Sequence, residues 1–126
     1  MKKPTPKYFR NKADSLLTPI IKILYPKCLL CPRPTEVAHH HVHKSKSTRL
    51  RYEIDNLINL CHSCHFTLHN NESYWASRII QINGLKWFAK LEKMKNEIVK
   101  ADVYYFQSHY ERLQKYYQSL LTNLAK

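Results

Sequence analysis

The chain has 126 residues, enough for one small domain with a modest core. Its 21 Lys and Arg outnumber its 9 Asp and Glu, and the resulting formal charge of +12 is typical of a protein that binds a polyanion. No apolar run approaches the roughly 18 residues of a membrane span, and no signal-peptide core follows the basic start, so we expect a soluble, cytoplasmic protein with no membrane partner.

The first predicted element is a helix that follows a loose tail. Residues 1–12 are basic and interrupted by prolines, which predicts a flexible tail. Asp14 or Ser15 is expected to cap a helix that runs to about Leu24 and carries apolar residues at helical spacing. Pro19 suits that helix only in its first turn, and Pro26 ends it.

Four cysteines form two CxxC pairs, separated by the central part of the chain. Each pair offers two thiolates on one turn, and two such turns complete the tetrahedral shell of a zinc ion. In a reducing compartment this spacing favours a metal over disulfides, and a redox-active pair does not require the second CxxC. The spacing therefore predicts a structural Zn²⁺ held by Cys28, Cys31, Cys61 and Cys64.

The segment between the two pairs has the pattern of a hairpin. A strand is predicted from Glu36 to Val42, a polar loop follows, and "NLINL", residues 56–60, is the expected returning strand. From Cys64 onward the pattern "CHFTLHN" favours a helix. On such a helix His65 and His69 would share one face.

The C-terminal part is predicted to be helical. Ser73 opens an aromatic helix that the sole glycine, Gly84, interrupts, and a second helix continues from Leu85 to about Met94. From about Asn96 the apolar residues recur at alternating steps of four and three, which is a heptad seam. Such a helix needs a partner, so it either folds back on the preceding helices or forms a homodimer with a second copy. The seam consists of Val99, Val103, Phe106, Tyr110, Leu113, Tyr117, Leu120 and Leu124.

All but one of the eight histidines lie between His39 and His69, and the exception, His109, is expected at the surface. A zinc ion with four thiolates has a full shell, so these imidazoles exceed its needs. Neutral imidazole is both a metal ligand and a base near pH 7. The cluster therefore predicts a second, functional metal centre. A second structural ion or adventitious metal binding is the alternative.

The motif order "C-x-x-C … HH … NL-x-x-L-C-x-x-C-H-x-x-x-H" resembles the HNH (ββα-metal) endonuclease superfamily, in the branch with a four-cysteine zinc. More narrowly, "ADSLL … LRYEIDNLINLCHSCHFTLH" with an aromatic helix behind it is similar to phage NinG-type recombination nucleases. The resemblance implies an α+β fold: a small ββα-metal core pinned by the zinc site, an N-terminal helix and a long C-terminal helical extension. It divides the chain into a tail (1–12), a nuclease domain (13–95) and an amphipathic C-terminal helix (96–126).

The resemblance also implies roles for single residues. His41, followed by an apolar residue, corresponds to the general base, and Asn56 corresponds to the residue that orients its ring. The ligands of the catalytic divalent ion correspond to His40 and His65, while His69 completes the shell or contacts phosphate.

The triple histidine leaves the register of these roles open by one or two places. A regular strand points neighbouring side chains to opposite faces. His40 and His41 can therefore serve one site only if the backbone bends. The pairings His39/His41 and His41/His43 remain alternatives.

The implied activity is metal-dependent hydrolysis of DNA phosphodiester bonds, by nicking or cleavage, in phage recombination or DNA processing and in a bacterial host cell if the chain is phage-encoded. Mg²⁺ or Mn²⁺ is the expected catalytic ion, with Zn²⁺ or Ni²⁺ as alternatives. The alternative function is a non-catalytic, zinc-stabilised nucleic-acid-binding module. Basic residues beside the hairpin are expected to contact DNA phosphates; they are Lys44, Lys46, Arg49 and Arg51.

Overall fold

A computed structural model describes residues 3–126; the first two residues of the predicted tail lie outside them. Within this range the chain forms five helices and a two-stranded sheet, which confirms the predicted α+β class. The elements are α1 (Pro6–Leu24), β1 (Val37–His40), β2 (Leu57–Leu60), α2 (His62–Asn70), α3 (Glu72–Asn83), α4 (Leu85–Lys95) and α5 (Val103–Leu124), with a 3₁₀ turn at Ile54–Asn56. Over the described range, none of the helices combines the length and apolar character needed to cross a bilayer.

Helix α1 begins at Pro6, well before the predicted start at Asp14 or Ser15. Thr5 caps it, because its Oγ1 accepts the backbone N–H of Tyr8 at 3.2 Å. Proline suits the first turn of a helix, since its φ is already helical and its missing N–H would have no partner there. Most of the predicted flexible tail is therefore helical.

The predicted seam of α5 packs inside the chain, but against α1 and not against the preceding aromatic helices on which the fold-back alternative placed it. Phe106 and Leu113 are buried against α1, whereas Leu124 is 65% exposed. The helix starts at Val103, where Asp102 caps it, and not at Asn96. Residues 96–126 therefore share a core with the N-terminal helix, and a homodimer through α5 stays a prediction. This core consists of Ala13, Leu17, Ile20, Ile21, Tyr52, Leu57, Phe106 and Leu113.

Pro19 lies in the interior of α1 and not in its first turn. Its ring removes the amide that would bond the carbonyl of Ser15. Ser15 is exposed, so water can bond that carbonyl instead. The helix consequently tolerates the proline and continues to Leu24.

The hairpin is antiparallel, with Val37 opposite Leu60 and His40 opposite Leu57. Both α1 and α2 contact it. Strand β1 is shorter than the predicted Glu36–Val42. The N–H of His41 still donates to the backbone carbonyl of Asn56 opposite it, but the N–H of Val42 donates to the Asn56 side chain. This early end of the strand determines where the neighbouring histidines lie.

Helices α3 and α4 contribute Ile79 and Trp87 to the apolar cluster that contains Ile58 and Leu60 of β2. Gly84, with a φ of 98°, joins them as predicted, since this left-handed backbone favours glycine. Trp87 Nε1 donates to the carbonyl of Asp55 at 2.7 Å, and Lys90 pairs with the carboxylate of the same residue. Helix α4 is thereby fastened to the turn that leads into β2. Its apolar side buries Leu91 and Met94 with Leu50.

His109 is half-buried between two aromatic rings and is not a surface residue. Its ring centroid lies 5.1 Å from that of Tyr52 and 4.6 Å from that of Tyr105. Burial, together with the charges of Arg112 and Arg49, lowers the pKa of His109 from 6.5 to about 4. The folded protein therefore holds this imidazole neutral where the unfolded chain would protonate it.

We expect His109 to make the protein less stable in acid. The unfolded chain takes up a proton below pH 6.5 that the folded site accepts only near pH 4, so the free energy of unfolding falls across this window. The measurement is urea unfolding of the wild type and His109→Gln at about pH 7.5 and about pH 5. The variant should lose less stability between these values than the wild type does; an equal loss would contradict the expectation.

Candidate metal centres

The four cysteines converge as predicted. Their sulfur atoms lie within 4.8 Å of one another, and Cys31 Sγ is 3.5 Å from Cys61 Sγ. A tetrahedral ion with Zn–S bonds of about 2.3 Å requires sulfur separations of about 3.8 Å, so the cluster is compatible with zinc. A structural metal therefore fits the thiol set.

Local backbone geometry explains why each CxxC presents both thiols. The first turn is closed by the N–H of Cys28, which donates to the carbonyl of Arg33 at 2.8 Å. In the second, Cys61 caps α2, and its Sγ accepts the N–H of Cys64 at 3.4 Å. That N–H lowers the pKa of the Cys61 thiol, whereas burial and the neighbouring thiols raise the pKa of Cys64.

A second cluster consists of three imidazoles. His39 on β1, together with His65 and His69 on α2, places one ring nitrogen each within 4.8 Å of the others. The Nε2 atoms of His65 and His69 are 3.0 Å apart, because residues four apart lie one above the other on a helix. His39 is buried, His65 is half-buried and His69 is exposed, so the cluster is open on the side of α2.

Two of the clustered imidazoles, those of His39 and His65, have pKa values below the usual range, which favours the neutral form that binds metal. Burial, and then the proximity of His65 and His69, lowers the pKa of His39 to about 3. Burial also lowers the pKa of His65. These two rings therefore each offer a nitrogen lone pair at neutral pH.

The structure groups His39, and not the predicted His40, with the two histidines of α2. His40 Nε2 lies 2.9 Å from the backbone carbonyl of Arg51. A carbonyl only accepts, so Nε2 carries the hydrogen and Nδ1 keeps a free lone pair. Burial lowers the pKa of His40 as well, which keeps this ring unprotonated.

His40 nevertheless faces the same space as the cluster. A cavity of about 340 Å³ opens beside the three imidazoles. Helix α1 contributes one of its walls, which the sequence pattern did not reveal. The lining residues include Asp14, Thr18, His39, His40, His43, Lys44, His65 and His69.

His41, the predicted base, packs against α4 and lines a second cavity beside the cluster. Its ring centroid is 4.8 Å from the Trp87 ring, and it lines a smaller cavity of about 170 Å³ together with His39, His43 and Glu72. Burial lowers the pKa of His41. The structure thus assigns this ring a packing contact with α4.

Asn56 acts on the backbone and not on the His41 ring. The side chain is fully buried, and its Oδ1 accepts the N–H of Val42 at 2.8 Å while its Nδ2 donates to the carbonyls of Val42 and Leu50. The Asn56 carbonyl also accepts the N–H of His41 at 2.9 Å. Asn56 therefore sets the path of the chain directly after β1.

Two of the four predicted phosphate contacts are engaged in ion pairs. Arg51 donates from Nε and Nη2 to the carboxylate of Asp14. Arg49 pairs with Glu53 and Glu97.

The other two residues, Lys44 and Lys46, have exposed side chains, and Lys44 lines the larger cavity. The two lysines are thus better placed than the arginines to meet a phosphate.

Glu72, at the start of α3, was missed by the sequence interpretation. Its Oε1 lies 2.7 Å from His43 Nε2 and 3.8 Å from His69 Nδ1. The signal that pointed to it is its position three residues after His69, just beyond the break between α2 and α3.

Compared with models of protein families, with curated proteins and with solved structures, the chain shows no significant match. The geometry of the two clusters, and not a relative, therefore has to support a functional assignment.

Proposed function

We propose that this protein is a metal-dependent endonuclease that hydrolyses DNA phosphodiester bonds, as the HNH superfamily that its sequence resembles does. The observation that supports this most directly is the convergence of three imidazoles beside an open cavity, separate from the four thiols. Structural zinc sites are closed, whereas catalytic sites keep a position open for substrate or water. A module that needed metal only for stability already has the thiol cluster.

Charge supports a nucleic acid as the substrate. The formal charge of +12 attracts a polyanion, and the exposed Lys44 lines the cavity itself. Lys46 is exposed two residues away along the same loop. Both are suited to position a phosphate backbone beside the imidazole cluster.

The ion would be held by His39, His65 and His69. When bound, such an ion polarises a phosphoryl oxygen and neutralises the leaving oxygen. Three imidazole donors favour transition-metal ions such as Mn²⁺, Ni²⁺ or Zn²⁺ over Mg²⁺, which prefers oxygen ligands. The donor set thus favours Mn²⁺ over Mg²⁺ within the pair expected from the sequence.

His40 is a stronger candidate for the general base than His41. In the order that the resemblance implies, the ligand directly precedes the base, so His39 as a ligand moves the base to His40. His40 is the last residue of β1, and both residues line the larger cavity although neighbours within a strand otherwise point to opposite faces. The carbonyl of Arg51 holds the hydrogen on His40 Nε2, which leaves Nδ1 to take a proton from water. The lowered pKa keeps that nitrogen unprotonated at neutral pH.

The proposal is tested by incubating supercoiled plasmid with the zinc-loaded protein and Mg²⁺, Mn²⁺, Ni²⁺ or Zn²⁺. We expect the wild type to form nicked or linear DNA and His39→Ala to be slower by at least about 100-fold, since losing even an outer partner of a metal ligand costs about 10- to 100-fold. The matched control is His62→Ala, which removes an exposed imidazole of α2 outside the cluster.

Two further measurements make the test decisive. Zinc content tests whether His39→Ala is folded, and a gel-shift assay tests whether it still binds DNA. If the wild type binds DNA and cuts with none of the four ions, the zinc-stabilised binding module replaces the endonuclease.

A further inference from the structure

Glu72 lies beside the outer nitrogen of one of the three clustered imidazoles. His69 turns its Nε2 towards His65 at 3.0 Å, while its Nδ1 lies 3.8 Å from Glu72 Oε1. The same oxygen is 2.7 Å from His43 Nε2. The carboxylate therefore stands between the cluster and a fourth imidazole that is not part of it.

This arrangement matches what a histidine ligand needs. A neutral imidazole that gives Nε2 to an ion carries its hydrogen on Nδ1. Metal-bound histidines usually donate that N–H to a carboxylate or a carbonyl, which sets the tautomer, orients the ring and makes the nitrogen a better donor. A shift of less than about 1 Å brings His69 Nδ1 within hydrogen-bonding distance of Glu72.

We infer that Glu72, held in place by His43, positions His69 as a ligand and thereby sets the affinity of the imidazole cluster for a divalent transition-metal ion. The inference rests on the metal centre of the proposed endonuclease, but it does not require DNA cleavage. Both Glu72 and His43 are positioning residues, since neither belongs to the cluster of converging nitrogens.

A purely structural role for Glu72 gives a different expectation. It lies in the first turn of α3, where a negative charge stabilises a helix. Loss of that effect would change the free energy of unfolding and leave the affinity for metal unchanged. Metal affinity therefore separates the two roles.

The experiment is a Co²⁺ titration of the zinc-loaded protein, followed by visible absorption. Co²⁺ bound to thiolates adds strong near-ultraviolet absorption, so its absence shows that zinc has kept the cysteine site. Glu72→Gln should bind Co²⁺ about 10- to 100-fold more weakly than the wild type, and His43→Ala should be weaker in the same direction. The matched control, Glu36→Gln, alters a glutamate whose histidine partner, His62 at 3.6 Å, lies outside the cluster, and should bind like the wild type.

A second readout is the tautomer of His69 in the protein without Co²⁺, measured by long-range ¹H–¹⁵N NMR. The hydrogen should reside mainly on Nδ1 in the wild type and shift towards Nε2 in Glu72→Gln. Equal Co²⁺ affinity of Glu72→Gln and the wild type would overturn the inference while leaving the endonuclease intact. Failure of the wild type to bind Co²⁺ at its imidazoles would overturn both.

Discussion

Replacement of Cys61 by serine is expected to remove the structural metal and unfold the hairpin with α2. The side chain is fully buried, and its sulfur both belongs to the thiol cluster and caps α2. Structural zinc contributes about 10–16 kcal/mol in zinc-finger peptides, as much as the whole stability of a typical domain of about 5–15 kcal/mol. The core around it contains Cys28, Ile58, Leu60, Leu68 and Ile79.

The loss is measured by zinc content and by tryptophan fluorescence during thermal unfolding. Both tryptophans, Trp75 and Trp87, pack against the core around the cysteines, so their emission reports directly on this region. Ser63→Ala is the matched control, because this exposed residue lies in the same turn and offers no ligand. Full zinc content and an unchanged unfolding temperature in Cys61→Ser would rule out a structural metal at this site.

Replacement of His40 by alanine is expected to slow DNA cleavage by about 10²- to 10⁴-fold, the usual contribution of a general base. His40 is outside the imidazole cluster, so the affinity for the divalent ion should stay unchanged. The measurement is single-turnover nicking of supercoiled plasmid at saturating Mn²⁺. This experiment presupposes the proposed endonuclease activity and shows whether His40 or His41 acts as the general base.

His41→Ala is the comparison that decides between them. This variant loses the contact with Trp87, so it should lower the unfolding temperature more than the rate of cutting. A large loss of cutting in His41→Ala, with near-normal cutting in His40→Ala, would return the base to the position first predicted from the resemblance. In that case His41 would have to reach the substrate from the smaller cavity.

Several features followed from local patterns in the sequence. Two CxxC pairs predicted the convergence of four thiols, because each turn places its own two sulfurs and only the pairing of the turns is long-range. His65 and His69 were predicted to share a helical face, because four residues make slightly more than one turn of an α-helix. Gly84 marked the break between α3 and α4 through its own backbone freedom.

Other features depend on long-range contacts that a local pattern does not reveal. The proline-rich start suggested a loose tail, yet the cap at Thr5 and the packing of α1 against α5 extend the helix to Pro6. The four phosphate contacts suggested by the basic loop stay a prediction, but Arg49 also pairs with Glu97 and Arg51 with Asp14, both far away in the sequence. Partners at such separations leave no periodic signal in the chain.

The sequence could not show which of the adjacent histidines joins those of α2, for a related reason. Three adjacent histidines are chemically identical, so composition and spacing cannot say which one faces α2. In the structure, β1 ends at His40 because Asn56 binds the backbone of the two residues that follow. The sequence by itself determined that this protein has thiol and imidazole sets suited to metal. Only the tertiary structure decided that His39 joins the histidines of α2, because side-chain direction at the end of a short strand depends on hydrogen bonds from distant residues.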